Sequence, residues 1–146
     1  MLGGLGPRDR HLDLLLLKHR FSVCRLTPGE KLPAWALRAA DFASVTRTAD
    51  ELSVVCRADV APKGTRCETG WRVLKIEGPL DFALTGILLA VTKPLADAGV
   101  SVFVVSTYDT DYVMVKDEKV EEAVRALTAA GHHVSPDSAA HADYVK

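Results

Sequence analysis

Residues 104–116 read VVSTYDTDYVMVK. An apolar run enters a polar stretch and resumes as a second apolar run, which is the pattern of two strands joined by a loop. Ser106, Thr107, Tyr108, Asp109, Thr110 and Asp111 offer more hydroxyls and carboxylates than a reversal of direction requires. Either this is an ordinary polar loop, or it is one wall of a binding site.

The flanking sequence supplies the fold. WRVLKIE at 71–77 is rich in large apolar residues and stops at Gly78-Pro79, so it reads as a strand closed by a turn. In LTGILLAVTKPLADAG at 84–99, Leu84, Ile87, Leu88, Val91 and Leu95 recur at helical spacing, with Gly99 placed to end the helix and Pro94 predicting a kink or an irregular last turn. After the two strands, Asp117 is expected to cap a helix with Val120, Val124 and Leu127 on its inner face, closed by Gly131. HHV at 132–134 completes the order strand, helix, strand, strand, helix, strand. That is the ferredoxin-like βαββαβ arrangement, an α+β fold with an antiparallel sheet and both helices on one side.

The first half echoes the second less regularly. LDLLLLKH and FSVCRL give strand-like stretches, LTPGEKLPAWAL has too many turn residues for a long helix, and FASVT and ELSVVC form another strand pair. Setting FASVTRTADELSVVC at 42–56 beside FVVSTYDTDYVMVK at 103–116 aligns Phe42 with Phe103, Thr46 with Thr107 and Asp50 with Asp111, each pair 61 residues apart. The expectation is two fused ferredoxin-like modules, a degenerate one over 12–70 and a second over 71–134, with tails at 1–11 and 135–146.

Composition narrows the function. The chain has 146 residues, 48% hydrophobic and 25% charged, with a formal charge of −1, so nothing attracts it globally to nucleic acid or to an anionic membrane. Cys24, Cys56 and Cys67 form no CxxC pair, and buried reduced thiols in a cytoplasmic protein are the plainest account. His132 and His133 are adjacent and point to opposite faces of a strand, so they do not readily grip one metal, and DTD lacks the glycine and distal glutamate of a calcium loop. With no phosphate loop, nucleophile elbow or HExxH helix, the expectation is no catalytic residue, no metal and no cofactor.

One ligand chemistry does fit. Thr85, Gly86 and Ile87 open the first helix of the second module, where free N–H groups and the helix dipole favour an anion and Gly86 lets a ligand approach. The split order brings that helix start beside the end of the next strand, so it should face the loop at 106–111. A free amino acid suits such a place, with its carboxylate on the helix amides, its ammonium on Asp111, and Ser106, Thr107 and Tyr108 completing the ring. Against this stands the plainer reading, in which the aspartates are solvated turn residues, Thr107 caps a strand and Gly86 eases helix packing.

EGPLDFALTGIL, LADAGVSVFVVSTYDTDYVMVK and AVRALTAAGHHV resemble the ACT modules of the CASTOR-type amino-acid sensors, and the first half resembles the small prokaryotic tandem-ACT proteins of that group. The resemblance implies a non-catalytic regulatory protein that binds an amino acid and assembles as a homodimer; the thiols set the expectation of a cytoplasmic location. It also implies that Gly86-Ile87, Thr107-Tyr108 and Asp111 are ligand contacts. Where arginine-sensing members carry an acidic residue two before the glycine, this chain has Leu84, which cannot pair with a guanidinium. A neutral or apolar effector is therefore the more plausible one. A structural or partner-binding module, or a small α+β enzyme, are the competing functions.

Overall fold

A computed structural model describes residues 11–39, 41–78 and 86–137, which fall into two compact units. One is contiguous, residues 18–71; the other is split, joining residues 11–17 to residues 72–137.

The split unit contains β1 (Asp13–Leu16), the second part of β5 (Cys67–Ile76), α1 (Ile87–Asp97), β6 (Phe103–Ser106), β7 (Asp111–Lys116), α2 (Val120–Ala129) and β8 (His133–Pro136). Its strands lie in the order β6-β7-β5-β1-β8. The expected βαββαβ chain is present from β5 to β8, but β1 is inserted between its first and last strands. Leu14 pairs with Ile76 in the antiparallel direction and with Val134 in the parallel direction. The leucine run expected to open the first module thus belongs with the second half of the chain. The strand is paired along both edges, and its Leu14 and Leu16 lie in or against the core.

Leu14, Leu74, Ile76, Val113 and Val115 project from the strands onto Val91 and Leu95 of α1 and Ala123 and Leu127 of α2, so both helices cover one face. Full burial of each large side chain contributes about 1.5–3 kcal/mol. Asp117 does not cap α2. A 3-10 turn over Asp117–Lys119 comes first, Lys119 takes the cap position, and the Asp117 carboxylate lies 3.6 Å from Arg72.

Pro94 sits inside α1 and has no N–H, so the Ala90 carbonyl, its acceptor four residues back, loses its helical donor. His132, buried, replaces that donor: its Nε2 lies 2.8 Å from the Ala90 oxygen. The Leu12 amide donates to the opposite ring nitrogen, Nδ1, at 3.1 Å. Because a backbone N–H can only donate, Nδ1 accepts and Nε2 carries the proton.

The contiguous unit holds β2 (Phe21–Leu26), β3 (Ser44–Arg47), β4 (Leu52–Arg57) and the first part of β5, in the antiparallel order β3-β4-β2-β5. With β1 set aside, β5, β6, β7 and β8 show the same order in the split unit. LTPGEKLPAWAL contributes one 3-10 turn, Ala34–Leu37, and Phe21 meets Phe42 edge to face at 5.7 Å. The corresponding hairpins are Ser44–Arg47 with Leu52–Arg57 and Phe103–Ser106 with Asp111–Lys116, offset by 59 positions rather than 61. Asp50 therefore corresponds to Asp109, and Leu52 takes the place of Asp111.

Cys24 and Cys67 face each other across β2 and β5 with Cα atoms 4.0 Å apart, and they form a disulfide. This corrects the expectation of three reduced thiols, since strand register opposes two residues 43 positions apart. Cys56 remains free and buried; burial, aided by the Asp59 carboxylate, pushes its thiol up to about 11.

Two predictions follow from this packing. Replacing His132 with Ala orphans the Ala90 carbonyl and is expected to destabilise the protein by about 2–4 kcal/mol. In a Pro94→Ala background the restored N–H should reduce that cost by about 1 kcal/mol or more, read by urea unfolding of the four variants; equal costs in both backgrounds would refute the link. Removing the disulfide with Cys24→Ser and Cys67→Ser should cost about 3–4 kcal/mol through the chain it closes, and an unchanged unfolding midpoint would show that the bridge does not constrain the unit.

Candidate functional site

β6 and β7 pair from Phe103 with Met114 to Ser106 with Asp111. Side chains alternate across a strand, so Asp111 shares a face with Val113 and Val115, and Ser106 shares one with Val104. These valines belong to the core beneath α1 and α2, which places Ser106 and Asp111 on the helix-covered face of the hairpin. The Ser106 hydroxyl donates to Asp111 Oδ1, leaving Oδ2 without a protein partner among the described residues.

The loop between the strands is pinned from within. The Thr107 amide donates to the Thr110 carbonyl at 2.8 Å, the Thr107 hydroxyl donates to the same oxygen at 3.1 Å, and the Thr110 amide approaches that hydroxyl at 3.3 Å. The corresponding loop in the contiguous unit is built alike: the Thr48 amide donates to the Glu51 carbonyl at 2.9 Å and the Glu51 amide to the Thr48 hydroxyl at 3.1 Å. Thr107 thus spends its hydroxyl on its own turn. Thr110 is buried, and its hydroxyl donates to the Ile76 carbonyl at 2.5 Å, tying the loop to the end of β5. Tyr108, at the tip, is 81% exposed.

Gly86 caps α1 at φ 79°, a left-handed conformation that suits glycine, and among the described residues no side chain caps the helix amides. No acidic residue lies in the first turn, so the positive end of the helix is left unneutralised by its own sequence. Ile87 opens the helix and is buried. Thr85 and Leu84 lie outside the described residues. The hairpin therefore offers Ser106 and Asp111 on the helix-covered face, with Thr107 turned into the loop and Tyr108 into solvent.

Sequence reasoning missed a cleft of about 210 Å³ lined by Lys75, Glu77, Thr107, Asp109, Thr110 and Tyr112. Lys75 and Glu77 alternate with the core residues Leu74 and Ile76 and so project from the opposite face of β5. The LKIE pattern carried that signal. Asp109 and Asp111 thus serve different surroundings, and among the described residues no group of three or more His, Cys, Asp or Glu is placed to hold a metal. No helix among the described residues is long and apolar enough to cross a membrane.

A family model for the ACT domain matches residues 66–129. A second model, described as the N-terminal domain of another family, matches residues 19–64. The crystal structure of Atu0741 from Agrobacterium tumefaciens is 38% identical, covers 89% of this chain and 96% of its own, and superposes with a TM-score of 0.84. The chain carries an ACT domain and belongs to the family of Atu0741. A protein from Vibrio cholerae, VC0802, shares this fold at 20% identity and a TM-score of 0.68, over 86% of this chain and 92% of its own. So does the regulatory subunit of the Thermus thermophilus aspartate kinase, at 13% identity and 0.51, over 77% and 93% of the two chains. The human cytosolic arginine sensor for mTORC1 subunit 1 is 33% identical over 58 residues, 39% of this chain but 18% of the sensor. The ACT domain coincides with most of the split unit, and the region before it is matched by the separate model.

Replacing Thr110 with Val keeps the shape but removes the bond to Ile76. The expected result is a loss of about 1 kcal/mol with faster amide exchange at Thr107 and Thr110; exchange as slow as in the parent would show that the loop is held by other means.

Proposed function

We propose that the chain is a non-catalytic regulatory protein that binds a free amino acid between the start of α1, at Thr85, Gly86 and Ile87, and the hairpin residues Ser106, Thr107, Tyr108 and Asp111. The observation carrying this reading is the half-satisfied Asp111 carboxylate, held by Ser106 on the face that α1 covers. A carboxylate with a spare oxygen receives an ammonium, and uncapped helix amides receive a carboxylate. The main-chain groups of Thr107 and Tyr108 would complete the ring, since the Thr107 hydroxyl is engaged in the loop.

The strand order shared by the two halves supports a tandem of ferredoxin-like modules, the first of which has kept its sheet and reduced its helices. We take the assembly to be a homodimer in the cytoplasm, in keeping with the resemblance to amino-acid sensors. An effector would act by binding one arrangement of the protein more tightly than another. Leu84 favours an effector with a neutral or apolar side chain over arginine. A partner-binding module is the second reading, favoured by Tyr108 at 81% and Leu89 at 50% exposure.

Thermal unfolding against each free amino acid at millimolar concentration tests the proposal. A ligand at a hundred times its dissociation constant stabilises by about 2.7 kcal/mol, a shift of several degrees. The shift is expected for one class of amino acid and should vanish in Asp111→Ala. No shift with any amino acid would favour the partner-binding module instead.

A further inference from the structure

The cleft on the far side of the hairpin shares only Thr107 with the proposed effector site, and its chemistry differs. Lys75 supplies one ammonium, while Glu77 and Asp109 supply two carboxylates. None of these three side chains has a hydrogen bond or ion pair among the described residues. Lys75 is half-buried and makes no ion pair among the described residues. The wall is built rather than incidental: buried Thr110 lines it, and the Thr107 to Thr110 bonds and the Thr110 bond to Ile76 fix the hairpin against β5.

Size and charge together select the occupant. A volume of about 210 Å³ matches about seven waters at roughly 30 Å³ each, below the roughly 300–1,000 Å³ of pockets for larger ligands. That suits a molecule the size of a single amino acid. One amine against two carboxylates leaves the lining with a net negative charge, so the complementary molecule carries one carboxylate and two cationic groups. We propose that this cleft is a second small-molecule site, taking a diamino monocarboxylic acid with its carboxylate on Lys75 and its two ammonium groups on Glu77 and Asp109. The neutral or apolar effector expected at the helix start and this doubly cationic ligand would occupy opposite faces of one hairpin.

Titration of the uniformly 15N-labelled full chain with L-ornithine, followed by amide chemical shifts, tests the assignment. L-norvaline, which lacks the side-chain amine, and putrescine, which lacks the carboxylate, serve as matched controls. The expected result is saturable shifts at Lys75, Glu77, Gly78, Asp109 and Tyr112 with L-ornithine at millimolar concentration. Each control should bind at least about tenfold more weakly, and Lys75→Gln and Asp109→Asn should each weaken ornithine by about tenfold or more. These exposed or half-exposed substitutions leave the core intact, which the dispersion of the same spectra verifies. Equal binding of putrescine, indifference to Lys75→Gln, or no saturation would overturn the proposal. Shifts centred on Ile87, Ser106 and Asp111 and abolished by Asp111→Ala would also overturn it, while upholding the effector site on the helix face.

Discussion

Leu14 lies between Ile76 and Val134, and the hydrogen-bond ladders of β1 on those two sides hold the split unit together. Beyond the strand itself, the Asp13 carbonyl accepts from the Glu77 amide at 2.8 Å, and the Leu12 carbonyl accepts from the His133 amide at 2.9 Å. At the other end, Leu17 donates to the Val73 carbonyl and the Leu16 carbonyl accepts from Asp137, each at 2.9 Å. Remove this strand and β8 has no paired neighbour among the described residues, where it pairs with β1 alone. The Leu12 amide that fixes the ring of His132 would go with it. A short segment near the beginning of the described chain thus sets the register of the end.

Local signals in the sequence were sufficient for local structure. The spacing of Ile87, Val91 and Leu95 specified both a helix and its inner face, and Gly99 and Gly131 adopt the positive φ that ends each helix. The two strands around STYDTD were equally plain, because alternation and a polar break are short-range features. What escaped was pairing. Nothing in LDLLLL states which strands it will lie between, and nothing in the spacing of Cys24 and Cys67 says that register will oppose them. The two-residue error in the internal alignment came from Phe42, which precedes β3, whereas Phe103 begins β6. Both are large buried or half-buried aromatics and invite superposition, but the loop hydrogen bonds of Thr48 and Thr107 define the true correspondence.

The site was legible in residue type more than in placement. Ser106 and Asp111 come together because they are paired across the hairpin, a relation that the loop length nearly dictates. Thr107, read as a ligand contact or a strand cap, closes the turn with its hydroxyl, as threonine does at the matching position in the other hairpin. The two loops share this internal brace and differ around it: Arg47 and Leu52 stand where Ser106 and Asp111 stand. Arg47 donates to the carbonyls of Pro28 at 2.7 Å and Glu30 at 2.9 Å, so the first hairpin turns that position to holding its own unit together. The spare carboxylate is a property of the second hairpin alone.

The bond from His132 to Ala90 joins two positions 42 residues apart and fills the place of the donor that Pro94 lacks. A chain that has acquired Pro94 has made its helix depend on a ring nitrogen contributed by the far side of α2. A chain without that proline has no such debt, and its residue at the histidine position is free to drift. The order of change therefore matters: proline without the histidine leaves a buried carbonyl unsatisfied, and while Pro94 is present the histidine is not lost without that cost. In this chain a feature that looks like a helix defect thus preserves the residue that repairs it.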